Sequence, residues 1–200
     1  MIVTPSLIEG FEFNGNANGV RGTLGAVSGA TLIGTPQGQG YSFNGLSKIF
    51  YSISIFDLVN NFTIIVRFKT SSVVQEALIG KGIAGADNYF IDIRNGVLLF
   101  GFYNASGGHG FFGGTVNDNE YHECAVTYDK YSIKIFDNGI LKSNGKFNED
   151  LVTNIQPLAI GARNNIEYFN GIIDRFMLYN KALSDTDIKR IYEGFSPLNG

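Results

Sequence analysis

Apolar and polar residues alternate with a period of two over much of the chain, the spacing at which successive side chains point to opposite faces of a β-strand. Ile49, Tyr51, Ile53 and Ile55 alternate with Phe50, Ser52, Ser54 and Phe56, and Phe62, Ile64, Val66 and Phe68 alternate with Thr63, Ile65, Arg67 and Lys69. Further strands are predicted at 6–13, 76–80, 88–94, 97–103, 121–129, 131–136 and 157–163, with a weaker one inside 24–33. The closing strand, 172–179, sets Ile172, Asp174, Phe176 and Leu178 on one face and Ile173, Arg175, Met177 and Tyr179 on the other. Both faces are mostly apolar, so this strand is expected inside a two-layer structure, covered on both sides, where Asp174 needs a partner for its charge. A helical turn over 185–193 follows: Ser184 stands at the cap, Leu183 and Ile188 at the spacing of a hydrophobic staple, and Gly194 at the end.

Asn-Gly pairs at Asn14, Asn18, Asn44, Asn95, Asn138, Asn144, Asn170 and Asn199 punctuate these segments, as in a protein of hairpins, because both residues tolerate positive φ. Asn95-Gly96 is read as the turn between 88–94 and 97–103, and Asn170-Gly171 as the turn into the closing strand. Residues 15–40 form a Gly-rich surface excursion, and 103–117 a second Gly-rich loop.

Several of these segments resemble a known family. The stretch 171–185, with Gly171, Ile173, Asp174, Tyr179, Asn180 and Ala182 to Asp185, is similar to the closing strand of laminin-G-like domains in the concanavalin A-like lectin and glucanase superfamily. Tyr41-Ser42-Phe43-Asn44-Gly45 resembles that family's Leu-Ser-Phe-Asp-Gly signature. The segment 121–129 resembles its Trp-His-His-Val-Ala-Val-Thr-Tyr-Asp strand, with Tyr121 in place of Trp. Arg67 stands where family members often have Trp, and Arg175 where they have Glu. The resemblance implies an all-β fold: a two-sheet antiparallel jelly-roll sandwich, concanavalin A-like, with one short C-terminal helix.

Composition agrees with one such domain over 1–200: 200 residues with 26 Gly, 17 Phe and only 4 Pro suit short strands, tight turns and one buried core. A net charge of -3 with 15 Lys and Arg, and no basic run, gives nucleic acid little to hold. No apolar run reaches membrane-spanning length, so membrane insertion is not expected. Charged residues at 16% and abundant Phe leave more apolar surface than one sandwich hides, which predicts a homo-oligomer or cover by other particle-surface proteins. The single Cys124 is read as a small apolar strand residue. The opening residues carry no signal-peptide pattern, and a virion or extracellular surface reached by another route is the expected location.

For chemistry, the superfamily's glycosidases carry two carboxylates on one strand face. Here Glu120 and Glu123 fall on opposite faces, Glu149-Asp150 lies in a loop, and Asp92 with Arg94 reads as a solvated pair. His109 and His122 have no nucleophile elbow beside them. The expectation is therefore a non-catalytic recognition or structural module, glycan-binding, on a virion or cell surface (spike, fibre or decoration protein). The alternative is a glycan-active enzyme or an accessory domain of one. Its ligand is expected at 103–117, where Tyr103, His109, Phe111 and Phe112 offer ring faces and glycine lets backbone approach; the same loop can instead be a cover or a subunit contact. By the resemblance, Asp174 and Gly45 would hold a structural Ca2+; from the residues alone, Asp174 accepts backbone amides or pairs with an arginine.

Overall fold

The computed structural model describes residues 6–52, 54–83, 85–163 and 165–194. In chain order the strands are β1 (Leu7–Phe11), β2 (Ala26–Ser28), β3 (Thr31–Thr35), β4 (Gly38–Asn44) and β5 (Lys48–Tyr51). After a short 3-10 turn at Ser54–Phe56 come β6 (Phe62–Lys69), β7 (Glu76–Lys81), β8 (Tyr89–Arg94), β9 (Val97–Asn104) and β10 (Gly107–Thr115). The chain then forms β11 (Tyr121–Tyr128), β12 (Ser132–Asp137), β13 (Ile140–Lys146), β14 (Leu158–Ile160), β15 (Ala162–Arg163), β16 (Glu167–Tyr168), β17 (Asn170–Tyr179) and α1 (Asp185–Tyr192).

These make a two-sheet antiparallel jelly-roll sandwich. The first sheet runs β13-β12-β11-β6-β17-β4-β3, and β1 extends it beyond β4 along the same edge of β17; the second runs β10-β9-β8-β7-β14-β5-β2. The closing strand β17 is the hub of the first sheet, pairing β6 on one side and β4 and β1 end to end on the other. It is covered on both faces, as its pattern predicts, but a β-bulge between Ile173 and Arg175 breaks the expected alternation and puts Ile173 on the inner face with Phe176 and Leu178 instead of the opposite one. Ile173, Phe176 and Leu178 join the core between the sheets, while Met177 and Tyr179 meet Leu183, Ile188 and Ile191 beneath α1. Ser184 caps that helix: its Oγ accepts from the Asp187 amide at 3.1 Å and donates to the Asp187 carboxylate at 2.8 Å.

Where local reading and fold differ, the reason is tertiary. The weak segment 24–33 divides at Gly29 (φ 77°) into β2, which pairs β5 in the second sheet, and β3, which pairs β4 in the first. Asn95-Gly96 is the expected hairpin turn with both φ positive, but Asn170-Gly171 is extended and opens β17 opposite Asn44 and Phe43. Glycine is required there because a Cβ on Gly171 would come within 2.3 Å of the Lys69 carbonyl. Ile53 lies outside the described residues, and the alternation read through it ends in the 3-10 turn. The Gly-rich 15–25 excursion is tied down by Glu9, which accepts from the amides of Gly10, Arg21 and Thr23. The segment expected as a loop at 103–117 is mostly the regular edge strand β10, paired to β9 from Gly107↔Asn104 to Thr115↔Val97. Most of its glycines are covered by neighbouring side chains, Gly108 by the Tyr103 ring, Gly110 by Leu99, Gly113 by Leu98 and Ile135 and Gly114 by Lys142, which is how a Gly-rich stretch remains a strand.

Candidate functional site

Directly opposed residues of an antiparallel pair share a face, so one row can be followed across the second sheet. Ala26 faces Phe50, Phe50 faces Ala159, Ala159 faces Gly80, Gly80 faces Phe90, Phe90 faces Gly101, and Gly101 faces Gly110. Their chain neighbours Ile49, Tyr51, Leu158, Ile160, Ile79, Ile91, Phe100 and Phe102 are core residues, so this row points outward. Five of its seven members are Gly or Ala, which leaves a short trough over Phe50 and Ala159, closed from Gly80 to Gly101 by β15, Arg163 and the Phe90 ring.

The trough is deepened into a cleft of about 260 Å³ over Phe50, Ala159 and Gly80. Ala162 and Asn165, from the hairpin of β15 and β16, form one wall; Ile83 and Pro157 form another; Lys48, Ser52 and Gln156 bring polar groups to the rim. The Lys48 ammonium lies 5.7 Å from the Phe50 ring centroid and donates to the Asn165 side-chain oxygen. A second depression of about 400 Å³ shares Ser52, Gln156 and Pro157 with the first, so the two form one elongated cleft ending at Asp57, Lys81 and Asn154. Lys81 is buried there, bonded to the Asn154 carbonyl and paired with Asp57 at 2.7 Å. The arrangement offers an apolar ring face with amide, hydroxyl and ammonium groups around it, the chemistry that holds a polyhydroxylated ring.

The hairpin wall is fixed by a buried charge cluster. Arg163 stacks on Phe90 and pairs with Asp87 at 2.8 Å, Asp92 at 3.2 Å and Glu167 at 3.1 Å. The Phe90 ring in turn covers Gly101, where a Cβ would come within 2.2 Å of it. Asp92, expected as a solvated partner of Arg94, is fully buried because the hairpin lies over it, although it keeps Arg94 at 3.0 Å. Burial pushes its carboxyl up to about 7 against the opposing pull of Arg163.

The four ring residues expected to share a ligand do not form one platform. His109 and Phe111 pair with Phe102 and Phe100 and turn inward; His109 stacks on Phe102 at 5.1 Å, and Phe111 packs against the core and over Gly145. Tyr103 and Phe112 point outward, onto the same face as the trough, with Phe112 58% exposed. Asp174 and Gly45 are also kept apart. Asp174 lies against Gly40 and Gly45 bonds to Phe169, five residues along the strand pair, about 16 Å. Asp174 instead pairs with Arg67, whose guanidinium lies 4.2 Å from the Tyr121 ring centroid. A guanidinium in that position does not suit a cation site, and among the described residues no three His, Cys, Asp or Glu side chains gather as one. His122 is held between Asp137 at 2.8 Å and Asp118 at 3.1 Å, and the Cys124 thiol is pushed well up by burial, so neither presents a nucleophile.

Phe50, Gly80, Ala159 and Arg163 were not legible as site residues. The available signal was the outward set Phe50 and Ser52, but only the register aligns Phe50 with Ala159 and Gly80.

A family model described as the concanavalin A-like lectin/glucanases superfamily matches residues 47–189. No curated protein matches in sequence. Among solved structures, the binding domain of Paraclostridial Mosquitocidal Protein 1 is similar with a TM-score of 0.80 at 14% identity, over 94% of this chain and 52% of that one. Domain 4 of a GH43 extracellular arabinanase from Geobacillus stearothermophilus, in complex with arabinotriose, is similar with a TM-score of 0.74 at 16% identity, over 92% of this chain and 97% of that one. A structure of botulinum neurotoxin type C, whose cell entry depends on interaction with two ganglioside molecules, gives a TM-score of 0.77 at 16% identity, over 94% and 51%. The chain thus spans about half the length of the toxin chains and nearly all of the arabinanase domain.

Proposed function

The chain belongs to the concanavalin A-like lectin/glucanases superfamily, and from that premise we propose that it is a non-catalytic recognition module whose ligand is a glycan lying in the cleft over Phe50, Ala159 and Gly80. The observation that carries this reading is the chemistry of the cleft walls. Hydrolysis of a glycosidic bond ordinarily needs two carboxylates facing each other across the sugar. Among the described residues lining the cleft there is one, Asp57, and it is neutralised by Lys81. Recognition needs less: a ring face, amides that donate and accept, and a cleft long enough for more than one sugar, as Phe50, Gln156, Asn154 and Asn165 supply.

Similar folds support the class of partner. The arabinanase domain is solved with arabinotriose, one botulinum neurotoxin structure concerns ganglioside interaction, and another is a complex with rat synaptotagmin II. A glycan or a surface receptor is therefore the partner we assign, and a virion or cell surface is the setting in which such a module acts. The test is a screen of soluble oligosaccharides by binding and by product release on the same preparation. Binding without products is the expected result; release of shorter sugars by the purified chain would refute the non-catalytic reading.

A further inference from the structure

On the other sheet, the turn between β11 and β12 is built to hold one ring out of the protein. Asp129 accepts from the amides of Tyr131 and Ser132 at 2.9 and 2.8 Å, Lys130 takes φ 69°, and the Phe147 amide donates to the Tyr131 carbonyl at 3.1 Å. The turn is fixed from three sides, yet the Tyr131 side chain it carries is 78% exposed. Beside it lies an open depression of about 560 Å³, lined by Tyr131, Ser132, Asn144, Lys146, Phe147 and Asn148.

The Ser132 hydroxyl donates to Asp129 at 3.4 Å, but three other polar side chains of this depression are uncommitted. Ser132 faces Lys146 and Lys134 faces Asn144, all pointing outward because Ile133 and Ile135 are core residues. Lys134 is occupied by Asp185 at 2.7 Å. Among the described residues, the side chains of Asn144, Lys146 and Asn148 have neither a hydrogen bond nor an ion pair. The carboxylates around them are taken: Asp129 by the turn amides, Asp150 by Lys130 at 3.0 Å and Asn60 at 2.7 Å, Glu149 by Asn104 at 2.6 Å. Lys146 is thus a free cation beside two free amides and an exposed aromatic face.

We propose that this depression is a second carbohydrate site, separate from the cleft, for a pyranoside bearing one anionic group, a carboxylate or a sulfate. The C–H face of the ring stacks on Tyr131, the amides of Asn144 and Asn148 meet its hydroxyls, and the Lys146 ammonium meets the anion as a point charge. A neutral sugar lacks that last contact and binds more weakly.

Amide NMR titration of the full chain with methyl glucuronide, N-acetylglucosamine 6-sulfate and methyl glucoside tests this. At least one acidic sugar should shift signals around Tyr131, Asn144 and Asn148, at an affinity tenfold or more above that of the glucoside. Which acidic probe is preferred identifies the anion. Lys146→Gln should erase that preference, Tyr131→Ala should abolish the shifts, and Tyr131→Phe should retain them, with the spectrum otherwise native because the ring is exposed. Ala159→Leu, which fills the cleft on the other sheet, should change nothing here, so failure of the cleft reading and of this one are distinguishable. The proposal is overturned if no acidic probe shifts these signals, if the glucoside binds equally well, or if the shifts survive Tyr131→Ala.

Discussion

The guanidinium carbon of Arg163 stands 3.6 Å from the centroid of the Phe90 ring, and the same guanidinium reaches three carboxylates. Phe90 lies on Gly101, Arg163 on Phe90, and the hairpin of β15 and β16 is carried by Arg163, so one wall of the cleft depends on a stack built up from a glycine. Arg163→Ala should cost about 3 to 5 kcal/mol of stability, because it leaves Asp87 buried without its cation and Asp92 with Arg94 alone. Urea unfolding measures this, and a loss below about 1 kcal/mol would contradict the role given to the stack.

The same cluster sets a pH dependence. Burial raises Asp92 to about 7, and it raises Asp87, Glu76, Glu123 and Asp174 in the same direction. An acid raised above its unfolded value of about 3.9 favours the folded state while protonated. Its contribution is full below that value and is lost as pH rises through the folded one. Unfolding free energy should therefore fall between about pH 4 and about pH 7, and fall less in Asp92→Asn. A stability that rises across this range would show that these acids remain ionised in the fold.

Ser184→Ala combined with Ile188→Ala should destabilise the domain by roughly 2 to 5 kcal/mol, since one change removes the cap and the other empties part of the small core under α1. Glycan affinity should be unchanged, because α1 lies on the first sheet and the cleft on the second. Calorimetry with a ligand titration reads both, and a binding defect in a folded variant would misplace the site.

Asp174→Asn should cost about 3 kcal/mol by leaving the Arg67 guanidinium without its carboxylate. With Arg67 in that position, chelator should not move the melting temperature of the native chain. A chelator-induced drop that the substitution abolishes would restore the structural calcium that the family resemblance implies.

The fold was legible because its signals are local and repeated. Period-two alternation marks β6, β11 and β17; Ser184, Leu183 and Ile188 mark α1; Asn95-Gly96 marks a hairpin. The site was legible only in part because it is made by register. Nothing local distinguishes Ala159 from any small strand residue, and it lines a cleft only because it lies between Phe50 and Gly80 on neighbouring strands. Tyr103, His109, Phe111 and Phe112 could share a ligand only on an irregular loop, and because 107–115 is a strand, alternation sends His109 and Phe111 one way and Phe112 the other.

Assembly is a further expectation. Leu24 and Val27 are exposed beside β2, which ends the second sheet, and an exposed strand edge with apolar neighbours invites pairing. Light scattering at high concentration should give a mass above that of one chain; a strict monomer would contradict this.

The most direct test of the central claim is calorimetric titration of neutral oligosaccharides, arabinotriose among them, into the native chain and into Phe50→Ala and Ala159→Leu. Both substitutions lie on the outer face of the second sheet and should leave the fold intact. The native chain should bind at least one oligosaccharide without cleaving it, and each substitution should weaken that binding tenfold or more, about 1.4 kcal/mol. Binding that is indifferent to both substitutions, or absent for every oligosaccharide tried, would contradict a glycan cleft over Phe50 and Ala159.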